Sequence, residues 1–166
     1  VILTLQHSVA IRRPADEVFA YISDFNRAQE WRAEVRVSTQ SPPGPMVRGS
    51  QLHEESAIMG RRVVTESVVD QLEPGRRFRF THVAGPIPVG GEYLVEAVGD
   101  GTMLTYTLRA ELRRIWALAS PYLRRSGLRT MARSLENLRA RLYKLHGAGR
   151  SALDVPHRSG IERRTD

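Results

Sequence analysis

Apolar and polar residues alternate through Thr4–Arg12, where Leu5, His7, Val9 and Ile11 fall on one side, and this pattern predicts a strand that Arg13-Pro14 ends. The period then lengthens. Val18, Phe19 and Ile22 make one helical face within Ala15–Ile22. Pro14, Asp16 and Glu17 suit a first turn, where the amides are unpaired and the dipole is positive. Ser23-Asp24 interrupts, and Asp24 is the expected cap of a second short helix that runs to Trp31. Six strand-like segments follow: Val35–Thr39, Ser50–Ile58, Arg62–Val69, Arg77–Val83, Glu92–Val98 and Thr102–Leu112. They are separated by Pro42-Pro43-Gly44-Pro45, Met59-Gly60-Arg61, Glu73-Pro74-Gly75, Gly85-Pro86-Ile87-Pro88 and Gly99-Asp100-Gly101. Gly60 supplies the positive φ that a tight hairpin needs. Connections this short predict an antiparallel meander.

The last third changes period again. Ser120-Pro121 reads as an N-cap with proline at the first helical position. Leu128, Met131, Leu135, Leu138, Leu142 and Leu145 then form one apolar stripe, about 18 residues or roughly 27 Å of helix. The helix is expected to end near His146, where Gly147 stops it. Arg125, Arg129 and Arg133 lie on another face. Residues 1–146 therefore read as one α+β domain, and 147–166 as a basic, flexible tail. A curved sheet has a concave face that must be covered, and this helix is the one element long enough to cover it.

Composition narrows the chemistry. With no Cys among 166 residues, thiolate catalysis, zinc–thiolate sites, iron–sulfur clusters and disulfides are all excluded. No apolar run approaches the roughly 18 residues of a membrane span, and there is no basic segment leading into an apolar one, so a soluble cytoplasmic domain is expected. Charge is uneven: residues 1–112 carry a net of −2 and residues 113–166 a net of +9. A basic third suits an anionic partner such as lipid headgroups; the plainer reading is a solvated helix face. Trp116, Tyr122 and Tyr143 make no stacking platform there, which argues against specific nucleic-acid binding.

The motifs that would announce a cofactor are missing. The five His are scattered without His-Glu-x-x-His spacing, and His53-Glu54-Glu55 cannot converge on one ion because strand neighbours point to opposite faces. Gly90-Gly91 and Gly99-Asp100-Gly101 have no following helix to cradle a phosphate, and no Gly-x-Ser-x-Gly elbow occurs. No metal and no cofactor are expected.

The joints between elements resemble those of the START/Bet v 1-like (SRPBCC) superfamily, in particular its bacterial polyketide cyclase/dehydrase branch. The matching stretches are Ile11–Phe19, Ile22-Ser23-Asp24-Phe25 with Trp31, Arg48-Gly49-Ser50, Gly60-Arg61-Arg62-Val63, Leu72-Glu73-Pro74 and Gly101–Tyr106. The resemblance covers about residues 5–145 and is specific for fold, since the shared motifs are structural punctuation. It implies a helix-grip fold: a seven-stranded curved antiparallel sheet wrapped around the C-terminal helix, with two short helices between strands 1 and 2 and a cavity inside.

In that register Leu52, Glu54, Ser56 and Ile58 face inward, opposite Val63, Thr65, Ser67 and Val69. Phe80, His82, Tyr93, Val95, Leu104, Tyr106 and Leu108 extend the same face. Such an interior is too polar for a solid core, because each buried polar group without a partner costs roughly 1–3 kcal/mol; a solvated or ligand-filled cavity resolves the conflict. The expected ligand-binding residues are Trp31, Leu52, Glu54, Ser56, Thr65, Phe80, Tyr93, Tyr106, Leu123, Gly127 and Met131. Trp31 either closes the mouth or anchors its helix. Gly127 marks either a close approach to the sheet or room beside the helix, and Met131 offers an adaptable wall. Glu54 and His82 are the catalytic candidates. A carboxylate facing an apolar cavity holds its proton more tightly than in water, unless it pairs with an Arg or reaches the rim.

Three functions follow. The resemblance implies binding, or transport, of an apolar or aromatic small molecule such as a lipid, isoprenoid or polyketide. The alternatives are an aromatase/cyclase-type enzyme, or an interaction module whose basic C-terminal third contacts an anionic membrane or a protein. No residue spacing by itself demands catalysis.

Overall fold

The computed structural model describes the backbone of residues 1–153 and the side chains of residues 1–147. Strands β1 (Ile2–Ile11), β2 (Val35–Ser41), β3 (Gln51–Ile58), β4 (Arg61–Glu73), β5 (Arg77–Ala84), β6 (Val89–Val98) and β7 (Gly101–Glu111) form one sheet of seven strands in the order β1-β7-β6-β5-β4-β3-β2. Every pairing is antiparallel. The meander β2 to β7 runs across the sheet, and β1 closes beside β7. Helices α1 (Ala15–Ser23) and α2 (Ala28–Trp31), with a 3₁₀ turn at Phe25–Arg27 between them, link β1 to β2. Helix α3 (Ser120–Leu153) follows a second 3₁₀ turn at Arg114–Ala119. This is the helix-grip architecture.

Local chemistry accounts for the joints. Met59 and Gly60 both have positive φ, 52° and 74°, so the two-residue β3–β4 connection has the mirror-image geometry that matches strand twist. Register shifts between Val35 and Val37, Glu66 and Ser67, and Val69 and Gln71 mark bulges that add bend and twist to the sheet. The long helix seats Met131, Leu135, Leu138 and Leu142 in the core.

Three expectations at element ends are corrected. Asp24 makes no capping hydrogen bond; its carboxylate lies 3.2 Å from Arg27 Nε instead. Helix α3 continues through Gly147 to Leu153, since an isolated glycine costs a helix only about 1 kcal/mol. Leu145 is exposed, so the buried stripe stops at Leu142. The expected tail begins inside this helix, and its residues 154–166 lie outside the described residues.

The concave face holds a closed end and an open end. At the closed end Phe19, Trp31, Leu52, Phe78, Tyr93, Leu104, Leu135 and Leu138 pack with almost no exposure to solvent. Aromatic contacts hold them: Phe78 and Tyr93 lie 5.0 Å apart, and Trp31 meets Tyr93 edge-on at 6.0 Å. Toward the other end the same strands continue past the β3–β4 hairpin, the Gly85–Pro88 loop and the start of α3, and there the interior is open.

Candidate functional site

A cavity of about 390 Å³ occupies the open end. Its apolar wall is built from Leu3 and Leu5 of β1, Phe80 of β5, Leu108 and Ala110 of β7, and Leu123 and Met131 of α3. β1 and β7 contribute alternate residues here, as a pleated face requires. Gly127 brings α3 close to β1: a Cβ there would stand 2.5 Å from Leu5 Cδ1. Of the two alternatives for Gly127, close approach is the one observed, and the residue still lies on the cavity wall.

The polar wall is concentrated at one place. Arg32, just after α2, is 9% exposed and sits between two carboxylates. It donates from Nη1 to Glu54 Oε2 (2.5 Å), and from Nη2 (2.6 Å) and Nε (3.2 Å) to Glu34 Oε1. Ser56 Oγ donates to Glu54 Oε1 at 2.8 Å. Ser134 Oγ on α3 accepts from the Ala33 amide (2.9 Å) and donates to the Thr130 carbonyl (2.9 Å), with Glu34 Oε2 3.3 Å away. Helix, sheet and α2 are thereby tied together around one ion cluster whose arginine is buried and whose carboxylates are half-buried.

The electrostatics follow from this packing. Burial works against the Arg32 charge, yet Glu54 and then Glu34 outweigh it and hold the guanidinium well above its ordinary value. Burial likewise pushes Glu34 up, and Arg32 overrides it, so the Glu34 carboxyl stays below its usual range. Burial dominates the remaining groups. It pushes the Tyr106 phenol up to about 12 and the Tyr93 phenol well above its ordinary value. It lowers His82, which Glu54 raises, Arg32 lowers and the nearby Ile87 backbone only partly restores. His82 Nδ1 is buried without a hydrogen-bond partner among the described residues. At neutral pH the imidazole is therefore uncharged.

Of the residues expected to bind ligand or to act on it, Glu54, Ser56, Thr65, Phe80, His82, Tyr106, Leu123, Gly127 and Met131 line this cavity. Trp31, Leu52 and Tyr93 do not. They face the same side of the sheet but lie at its closed end, 2%, 1% and 3% exposed. Trp31 is the anchor of its helix, and its carbonyl accepts from Asn137 Nδ2 at 3.1 Å. Glu54 is the paired carboxylate rather than the isolated one. His53 and Glu55 point to the outer face, where His53 contacts Glu66 and Glu55.

Residues 3–143 match the sequence model of a family described as polyketide cyclase / dehydrase and lipid transport. The chain belongs to this family. Solved structures agree on the fold. A START superfamily protein from Mycobacterium smegmatis aligns with a TM-score of 0.72 at 17% identity, covering 86% of this chain and 98% of that one. A protein from Thermus thermophilus gives 0.72 at 18% identity, with 86% and 98% covered. The di-domain ARO/CYC StfQ of the steffimycin biosynthetic pathway gives 0.74 at 16%, with 89% of this chain but 53% of that chain covered. No curated protein matches the chain.

For this member of the polyketide cyclase/dehydrase and lipid transport family, sequence reasoning missed Arg32, Glu34 and Ser134. Charged residues after a short helix look like a solvated link. One signal existed: an inward Glu54 calls for a cation, but twelve arginines in residues 1–112 left its identity open.

Proposed function

We propose that the protein binds an apolar or aromatic small molecule of the lipid, isoprenoid or polyketide kind within the cavity between sheet and α3, and that it can carry such a molecule. The observation behind this reading is a cavity of about 390 Å³ with a long apolar wall and one polar end, the usual make-up of a small-molecule site. Native mass spectrometry of the purified protein is expected to reveal a co-purifying apolar ligand, and apolar extracts to raise the melting temperature. A ligand-free protein whose melting temperature no extract shifts would overturn the proposal.

The mouth of the cavity supports contact with an anionic membrane. Leu112 and Leu123 line the cavity, and the segment between them projects Ile115 (78% exposed) and Leu118 (96%) into solvent. Trp116 and Tyr122 are exposed there too, and Arg113, Arg114, Arg124 and Arg125 flank them. Apolar side chains ringed by arginines suit a headgroup layer with acyl chains beneath it.

A second reading, a cyclase-type enzyme, draws on His82 and Glu54 sharing the cavity wall. An uncharged imidazole can accept a proton, and the Tyr106 phenol stays protonated to donate a hydrogen bond. On that reading Glu54→Gln abolishes turnover of a polyketide-like substrate while binding persists; unchanged turnover removes Glu54 from the chemistry.

A further inference from the structure

The charge balance of the polar end restricts what the cavity accepts. Among the described residues Arg32 is the only arginine on the cavity wall, and it faces both Glu34 and Glu54, so this end carries a net charge of −1. The hydrogen bonds leave both donors and acceptors over, so it is the charge that discriminates. The guanidinium has five N–H groups, three of them given to the two carboxylates and two left over; Ser56 donates to Glu54, and the Tyr106 hydroxyl also lies on the cavity wall. Among the described residues Glu54 Oε1 receives only Ser56, and Oε2 only Arg32, which leaves each oxygen a further lone pair. His82 brings no compensating positive charge, and its Nδ1 has no partner among the described residues.

We infer that the ligand's polar group is neutral or cationic, such as a hydroxyl or an amine, and that carboxylates and phosphates are disfavoured. This inference rests on the cavity-binding reading. A donated hydrogen bond to Glu54 uses acceptor capacity that is present on a half-buried carboxylate. An anionic headgroup would add a second uncompensated negative charge beside two half-buried carboxylates, where like charges repel. The apolar remainder of the ligand would lie along Leu5, Phe80, Leu108 and Met131.

Equilibrium dialysis of the full chain at neutral pH against methylnaphthalene, naphthylmethanol, naphthylmethylamine and naphthoate tests this on one aromatic skeleton. The alcohol and the amine are expected to bind more tightly than methylnaphthalene, and naphthoate about tenfold or more weaker than the alcohol. Glu54→Gln, or Glu34→Gln as an independent variant, should narrow the gap between alcohol and carboxylate. Naphthoate binding as tightly as the alcohol, while methylnaphthalene also binds, would overturn the inference and leave cavity binding intact. If no probe binds, methylnaphthalene included, cavity binding itself fails and the inference with it. The wild-type ranking decides between these outcomes even where a variant folds poorly.

Discussion

Arg32 shows how much one side chain depends on its surroundings. Exposed ion pairs such as Arg76–Glu73 and Arg139–Glu136 are largely screened by water and contribute little. Arg32 is different, because it is buried and removing it leaves two half-buried carboxylates without their cation. Arg32→Met is expected to cost about 3–5 kcal/mol in urea unfolding, and the triple change with Glu34→Gln and Glu54→Gln to recover part of that. His82 has a pH signature. Its folded pKa lies below 6.5, so the unfolded chain takes up the proton first, and the stability present above pH 6.5 erodes as pH falls through the folded value. Glu34, lowered from 4.5, loses its contribution only at more acid pH. His53 acts in the opposite sense: its hydrogen bond to Glu66 raises it, so its contribution is lost as pH rises through the folded value. Melting temperature followed from about pH 7 to pH 5 should therefore fall less in His82→Gln than in wild type.

Among elements, alternation and turn chemistry located all seven strands, because each strand has one face in the core and one in water. The ends were harder to read. The run Ile115–Ala119 carries no period, and it forms a 3₁₀ turn held outside the core. Gly147 carries a stop signal that the chain overrides. Close contacts between strands were also invisible. Gly91 lies opposite Phe80 across β5 and β6, and a Cβ there would stand 2.3 Å from the Phe80 ring. Gly91→Ala is expected to displace Phe80 from the cavity wall and to lower stability by about 1–3 kcal/mol in chemical denaturation.

On the scale of the molecule, the charge asymmetry and the cavity meet at one place. The switch from acidic to basic sequence falls at residue 113, where β7 gives way to the 3₁₀ turn at the cavity mouth. The proposed membrane contact predicts co-sedimentation with vesicles rich in phosphatidylglycerol, weaker binding to phosphatidylcholine, and loss with added salt. Leu118→Asp should reduce that binding without changing the melting temperature, since Leu118 is 96% exposed and packs against nothing it would release. Equal binding to both vesicle types, or full binding by Leu118→Asp, would sink the contact.

The sequence by itself reduced each strand to two possible inward faces, because its side chains repeat every two residues; the resemblance to the family chose between them, and Glu54, Ser56, Thr65, His82 and Tyr106 were placed inward on that basis. Depth along the strands was decided only by tertiary structure. Leu52 and Tyr93 obey the same alternation as their neighbours on the cavity wall, and they are core because α1, α2 with its Trp31, and the far half of α3 close over that end. The partner of Glu54 was decided the same way, since Arg32 reaches it through a fold that brings together residues 22 positions apart.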